Sequence, residues 1–79
     1  MTDQHIEQLA DDIAGEISET FQGFSLISAH RIGASAVIRY RWRNPPQVDK
    51  DYTITVLICE SDTDESVKVK IRRQITEAV

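Results

Sequence analysis

The fold is decided by one stretch of the chain, Val37-Ile38-Arg39-Tyr40-Arg41-Trp42-Arg43. Successive side chains of a β-strand point to opposite faces of a sheet, so its apolar residues share one face and its three arginines share the other. One buried face and one solvated face are typical of an antiparallel sheet. The stretch therefore predicts a half-buried strand in which Tyr40 and Trp42 face the core and a row of arginines faces outward.

The flanking residues predict a helix before this strand and a further strand on either side of it. The helix is indicated by apolar residues at the spacing i, i+3, i+4, i+7, namely Ile6, Leu9, Ala10, Ile13, Ile17 and Phe21. The strands are expected at Phe24–Ile32, Ala36–Arg43 and Tyr52–Glu60. Asn44-Pro45-Pro46 ends the second strand because proline lacks the backbone donor, and a loop over Asn44–Asp51 leads to the third.

The C-terminal segment fits two structures. Acidic and hydroxyl side chains at residues 61–66 resemble a helix start, and Val67, Ile71, Ile75 and Val79 then recur every four residues. Residues 67–72 also alternate between apolar and basic side chains, as a fourth strand would. The capping residues and the continuation to Val79 favour the helix.

These elements predict a single small α+β domain over residues 1–79. It is expected to have two layers in the order α-β-β-β-α, with a three-stranded antiparallel meander and both helices on one face. A fourth strand at residues 67–72 is the alternative. The small core leaves room for a homodimer.

Composition narrows the class of protein. The net charge of −4 and the pI of about 5.0 disfavour non-specific binding of the whole molecule to nucleic acid or membranes. The single cysteine, Cys59, cannot form an internal disulfide, which fits a reducing compartment. No apolar run approaches the ~20 residues of a membrane span, and the N-terminus lacks a signal-peptide pattern. We expect a cytoplasmic protein without a membrane partner.

Charge occurs in blocks that suggest two binding surfaces. Arginine suits bidentate recognition of anions, and residues 31–43 contain four arginines and no acid. The first candidate surface is the outer sheet face, with the arginines expected to stand without a neighbouring acid; its residues are Arg31, Arg39, Arg41, Arg43, Thr53 and Thr55. The second is an acidic face of the first helix, formed by Glu7, Asp11, Asp12 and Glu16. A basic cluster near the C-terminus is expected to lie beside that acidic helix: Lys68, Lys70, Arg72 and Arg73.

Signatures of catalysis are missing from the sequence. No pair of histidine or cysteine residues has zinc-ligand spacing, and the three glycines form no phosphate loop. We therefore expect a non-enzymatic protein with no catalytic residue, no metal and no cofactor.

The expected function is protein–protein interaction, as a small acidic adaptor or inhibitor of phage or mobile-element type that binds through a charged face. Binding of RNA or DNA through Arg39, Arg41 and Arg43 is the alternative. Proteins that bind single strands place aromatic side chains beside the cations, whereas Tyr40 and Trp42 are expected to face the core. The phase of the strand thus favours a protein partner.

Overall fold

Two helices and three strands follow one another in the order α1–β1–β2–β3–α2 in a computed structural model, which describes residues 2–43 and 49–78. Their bounds are α1 Asp3–Ser18, β1 Phe24–Ile32, β2 Ser35–Trp42, β3 Lys50–Leu57 and α2 Asp64–Ala78. The strands form an antiparallel meander in the order β1-β2-β3, against which the helices pack. The predicted α+β fold is confirmed. The alternative of a fourth strand at residues 67–72 is wrong, because these residues lie within α2.

The alternation of β2 is as predicted. Ile38 and Tyr40 are fully buried, and Trp42 is half-buried against the core. Arg39 and Arg41 are exposed on the opposite face. Directly opposed residues of a sheet share a face, so on the neighbouring strand β3 Ile54 faces the core and Thr53 faces outward.

Tyr40 joins the central strand to the helical layer. Its ring stacks on Phe24 with the ring centroids 5.0 Å apart. Its hydroxyl donates a hydrogen bond of 2.7 Å to the Ala10 carbonyl oxygen of α1. Burial, with a smaller contribution from the negative charge of Asp11, raises the pKa of the Tyr40 hydroxyl well above its usual range. Tyr40 therefore stays protonated and keeps donating at pH values where an ordinary tyrosine loses its proton.

A close backbone approach fixes the connection from α1 to β1. Gly23 has a φ of 87°, a conformation that glycine adopts without steric cost. The Arg43 N–H donates to the Gly23 carbonyl oxygen at 3.1 Å, and a Cβ at Gly23 would overlap the Arg43 carbonyl oxygen. Beside this contact, the Trp42 Nε1–H donates to the Gln22 carbonyl oxygen at 3.1 Å.

Asp62 organises the connection from β3 to α2. Its carboxylate accepts hydrogen bonds from Lys70 Nζ at 2.6 Å, the Cys59 N–H at 2.7 Å and Ser66 Oγ at 2.8 Å. These donors, the Lys70 ammonium foremost, lower the pKa of Asp62 to about 2. Thr63 and Ser66 exchange backbone-to-hydroxyl hydrogen bonds at the helix start, a reciprocal cap of the kind expected there.

The bounds of β3 differ from the prediction. The strand begins at Lys50 and ends at Leu57, whereas Tyr52–Glu60 was expected. Lys50 and Asp51 were placed in the loop, but they pair with Trp42 and Arg41 and so extend the sheet. The remainder of the predicted Asn44–Asp51 loop lies outside the described residues except for Asp49.

We expect Tyr40→Phe to destabilise the fold by about 1 kcal/mol, the usual net contribution of one hydrogen bond. Urea unfolding at neutral pH measures this difference. The raised pKa of Tyr40 means that its stabilising effect is complete below the ordinary tyrosine pKa of about 10 and is lost as the pH rises above that value. The stability gap between the wild type and Tyr40→Phe should therefore narrow in alkali. A gap that stays constant with pH would contradict this assignment.

A pair of alanine substitutions should act in opposite directions. Gly15 lies in the middle of α1, and a Cβ at this position would meet no atom within 4 Å, so Gly15→Ala should stabilise the fold by about 1 kcal/mol through helix propensity. Gly23→Ala should destabilise it by at least the roughly 1–2 kcal/mol of a left-handed non-glycine residue. Thermal unfolding of both variants compares the two effects. Equal effects of the two substitutions would rule out the close approach at Gly23.

Candidate functional site

The sheet face that points away from the helices carries a row of arginines. Cross-strand pairing places Arg39 opposite Thr53, Arg41 opposite Asp51, and Val37 opposite Thr55. The arginine side chains are 48%, 44% and 69% exposed at Arg39, Arg41 and Arg43, so each is accessible to a ligand. We term Arg39, Arg41, Arg43, Thr53 and Thr55 the arginine face.

Two aspartates lie among the side chains of the arginine face, and the sequence prediction included neither of them. Asp51 accepts hydrogen bonds from Arg41 Nε at 2.9 Å and from Arg41 Nη2 at 3.4 Å, and its Oδ2 lies 3.7 Å from Arg39 Nη2. Asp49 Oδ1 lies 3.4 Å from Arg43 Nε. The expectation that the arginines stand without a neighbouring acid is wrong, because β3 begins early and sets Asp51 directly opposite Arg41.

These contacts engage the three arginines unequally. The hydrogen bond to Asp51 raises the pKa of Arg41, and the same bond lowers the pKa of the Asp51 carboxyl. Arg41 is thus held by a two-point contact with a charged carboxylate. The Arg39 contact is too long for a hydrogen bond, and Arg43 is mostly exposed. Since a guanidinium has five N–H donors, Arg39 and Arg43 retain donors for an external anion.

Arg31 lies apart from the arginine face. It pairs with Ala36, a fully buried residue of β2, so its side chain starts on the helical side of the sheet. Its N–H donates to Asp3 Oδ1 at 2.9 Å, and its Nη2 donates to the Gly33 carbonyl oxygen at 3.1 Å. The prediction that Arg31 belongs with the other arginines is wrong, because the strand register sets it on the opposite face.

Two exposed apolar side chains border the arginine face at the turn between β1 and β2. Ile32 and Leu57 lie on either side of Ser35 and are 63% and 57% exposed. The sequence prediction assigned neither of them a role. The alternation of β3 that places Thr53 and Thr55 on the outer face also places Leu57 there, and extending the strand by two residues toward the N-terminus adds Asp51.

The predicted acidic face of α1 is divided in two. Asp12 and Glu16 face α2, where Lys68 Nζ lies 3.3 Å from Asp12 Oδ2 and Arg72 Nη2 lies 2.9 Å from Glu16 Oε2. The expected charge complementarity between the helices is thus found at these two pairs. Lys70 instead bonds Asp62 and the Leu57 carbonyl oxygen.

The other half of the acidic face lies on the far side of α1. Glu7 and Asp11 line a shallow depression beside β1, together with Gln4, Gln8, Leu26 and Ile27. The four acids predicted to form one surface therefore lie on two different sides of α1. Asp12 and Glu16 are engaged within the molecule, whereas Glu7 and Asp11 stay exposed.

Within residues 2–43 and 49–78, no three histidine, cysteine, aspartate or glutamate side chains come together as metal ligands. Over the same residues, neither helix is long and apolar enough to cross a membrane. Cys59 is an exposed free thiol.

Comparison with known proteins gives no relative for this chain. No protein family matches it, and no curated protein or solved structure is significantly similar to it. The chemistry of the surfaces described above is therefore the basis for assigning a function.

We expect the Asp51 carboxyl to titrate below the ordinary aspartate pKa of about 3.9, because Arg41 donates to its charged form. In Arg41→Ala the titration midpoint should rise toward the ordinary value. Carbon NMR of the carboxyl measures both midpoints. Lys68→Ala is the control, since Lys68 pairs with Asp12 and leaves Asp51 untouched. Any stability from the Arg41–Asp51 pair is complete above the ordinary pKa and is lost as the pH falls. An unchanged midpoint in Arg41→Ala would contradict the pairing.

Proposed function

We propose that this chain is a non-enzymatic protein-interaction module, a small acidic adaptor or inhibitor that binds an anionic surface of another protein through the arginine face. The observation that carries the proposal is the pair Arg39 and Arg43, whose exposed guanidinium groups keep donors that no other described residue engages, on a sheet face that no described helix covers. Arginine is the side chain best suited to bidentate contacts with carboxylates. The threonines beside them add hydroxyl groups that donate or accept.

The mixture of charges favours a protein partner. Asp49 and Asp51 stand among the three arginines, so the surface offers both signs of charge within a few ångströms. A uniform run of phosphates would be repelled by these two acids, whereas a protein surface can present a basic side chain to each of them. Complementary patterns of both signs give specificity to a protein interface.

The apolar end of the same sheet face supports this function. Ile32 and Leu57 are among the most exposed large apolar side chains of the described residues. Protein interfaces combine an apolar core that excludes water with a polar rim. A partner seated on the arginines and extending over Ile32 and Leu57 would bury both kinds of surface. We expect such a partner to contact both ends of the sheet.

Removing the two available arginines tests the proposal. Arg39→Ala/Arg43→Ala should weaken binding of the partner by about tenfold or more, since each side chain contributes a charge-assisted hydrogen bond. The measurement is affinity capture from a lysate of the producing organism, followed by titration of the identified partner at increasing salt. Because the contacts are exposed ion pairs, binding should weaken as salt rises.

The matched control is Lys68→Ala/Arg72→Ala, which removes the same charge from the helical layer and should leave partner binding unchanged. Both variants are first checked for the wild-type unfolding midpoint. Equal capture by the wild type and Arg39→Ala/Arg43→Ala would overturn the proposal. Binding of a labelled oligonucleotide that depends on Arg39 and Arg43 would assign the surface to nucleic acid instead.

A further inference from the structure

The outer edge of β3 offers unpaired backbone groups. The Ile58 N–H donates to the Ala34 carbonyl oxygen of the preceding turn, so Ile58 directs its peptide groups toward β2. These directions alternate along an antiparallel strand, and the pairing of β3 with β2 is unbroken. Leu57 therefore points its peptide groups outward, which agrees with the hydrogen bond from Lys70 Nζ to its carbonyl oxygen. The other residues of β3 with outward peptide groups are Asp51, Thr53 and Thr55.

The two edges of the sheet differ in how they are protected. The edge at β1 has an irregularity between Leu26 and Ser28, α1 packs along it, and Asp3 accepts the outward N–H of Arg31. Such features are known to prevent strand pairing. The helix α2 likewise packs beside β3, but among the described residues only Lys70 bonds an outward backbone group of this edge, at Leu57. In the described part of the chain, no hydrogen bond reaches the outward groups of Thr53 and Thr55.

The cations nearest this open edge lie on the helical side of the sheet, whereas Asp51 of β3 is on the other side and is bonded by Arg41. Thr55, Val56 and Leu57 line a shallow groove with Lys70, Arg73 and Gln74 of α2, with a volume of about 170 Å³. Arg73 and Lys50 are both exposed, and neither makes an ion pair with another described residue. Lys50 pairs with the inward-facing Trp42, so its side chain leaves the sheet on the side where the helices lie. Arg73, a residue of α2, is on this same side.

We propose that the β3 edge binds an extended acidic segment of a partner protein as a fourth antiparallel or parallel strand. The backbone of the segment pairs with Thr53 and Thr55, and its acidic side chains meet Lys50 and Arg73. Strand addition of this kind takes affinity from backbone hydrogen bonds and specificity from alternate side chains. Because it adds a contact to the protein partner proposed above, this inference rests on that function.

A second copy of the chain fits this edge less well. Two copies pairing antiparallel must oppose residues with outward peptide groups, for example Thr53 with Thr53 of the other copy. That register sets Lys50 of each copy opposite Val56 of the other, beside the groove that contains Arg73. Like charges placed together across strands are destabilising. An acidic segment brings the opposite charge to the same positions.

The first test uses a short synthetic peptide of alternating glutamate and valine with the full chain. Binding should slow hydrogen exchange of the Thr53 and Thr55 amides by about tenfold or more at saturation, as followed by NMR. The Ile54 amide is already paired with β2 and should change little. Two peptides with methylated backbone nitrogens form the control, one methylated at the odd residues and the other at the even residues. Because an added strand directs only every second N–H toward β3, one of these peptides should lose binding and the other should retain it. Equal binding of both methylated peptides, or no binding of the parent peptide, would overturn the proposal.

Variants of the protein separate backbone pairing from charge. Thr53→Pro removes one outward donor at a position where an edge strand tolerates proline, and it should abolish peptide binding, while Thr53→Val should retain it. Lys50→Ala/Arg73→Ala should weaken binding by about tenfold, and Lys68→Ala should have no effect. Unchanged binding by Thr53→Pro with a wild-type unfolding midpoint would contradict strand addition.

The same variants distinguish self-association, failure of the proposed function and failure of the edge proposal from one another. A dimer in sedimentation that Thr53→Pro abolishes would assign the edge to self-association and overturn the acidic segment. If the function proposed above fails but the edge is correct, Arg39→Ala/Arg43→Ala binds the captured protein normally and Thr53→Pro does not. If the edge proposal alone fails, the arginine variant loses the captured protein and Thr53→Pro retains as much of it as Thr53→Val does.

Discussion

The alternation of side chains along β2 is the constraint on which the rest of the structure depends. Burying Ile38 and Tyr40 under the helices forces the intervening arginines to the other face, because the side-chain period of a strand is two residues. A shift of one residue in the pairing would bury the guanidinium groups and expose the core. Burying an ion without a partner costs several kcal/mol, so this alternative is strongly disfavoured. The hydroxyl of Tyr40 adds a specific anchor, since it reaches the Ala10 carbonyl oxygen only when the ring faces α1.

The element order and the phase of β2 could be predicted from the sequence because both follow from local periodicity. The position of Arg31 could not, since its face depends on the residue that it opposes on β2, and a single strand does not specify its register. Asp51 was missed for a similar reason: a polar residue shortly after two prolines reads as part of a loop until its pairing with Arg41 is known. The ambiguity of residues 67–72 is resolved by tertiary contacts, because Val67, Ile71 and Ile75 are buried together only on a helix.

The positions of the charged side chains, rather than the net charge of the chain, determine which of them a partner can reach. Asp12 and Glu16 on α1 are engaged by Lys68 and Arg72 on α2, so these four groups are already paired within the molecule. Such exposed pairs contribute little to stability, but they occupy groups that would otherwise meet a partner. The cations with unused donors lie around the sheet and its β3 edge, whereas Glu7 and Asp11 remain exposed beside β1. The partner proposed above would therefore meet the cations of the sheet rather than the acids of α1, and this uneven distribution of charge would help to orient the encounter.

The arginine face and the β3 edge share the same two residues. Thr53 and Thr55 direct their side chains to the arginine face and their peptide groups to the edge, because these directions are coupled along a strand. A strand added at this edge would therefore widen the arginine face by one strand spacing, about 4.8 Å. Alternate side chains of the added strand would lie beside Thr53, next to Arg39, and the others would point toward Lys50 and Arg73. Acidic side chains on the helical side of such a segment would meet Lys50 and Arg73, whereas acids on its other side would lie near Asp51 as well as Arg39. A segment that is acidic on the helical side and mixed in charge on the other therefore fits both surfaces.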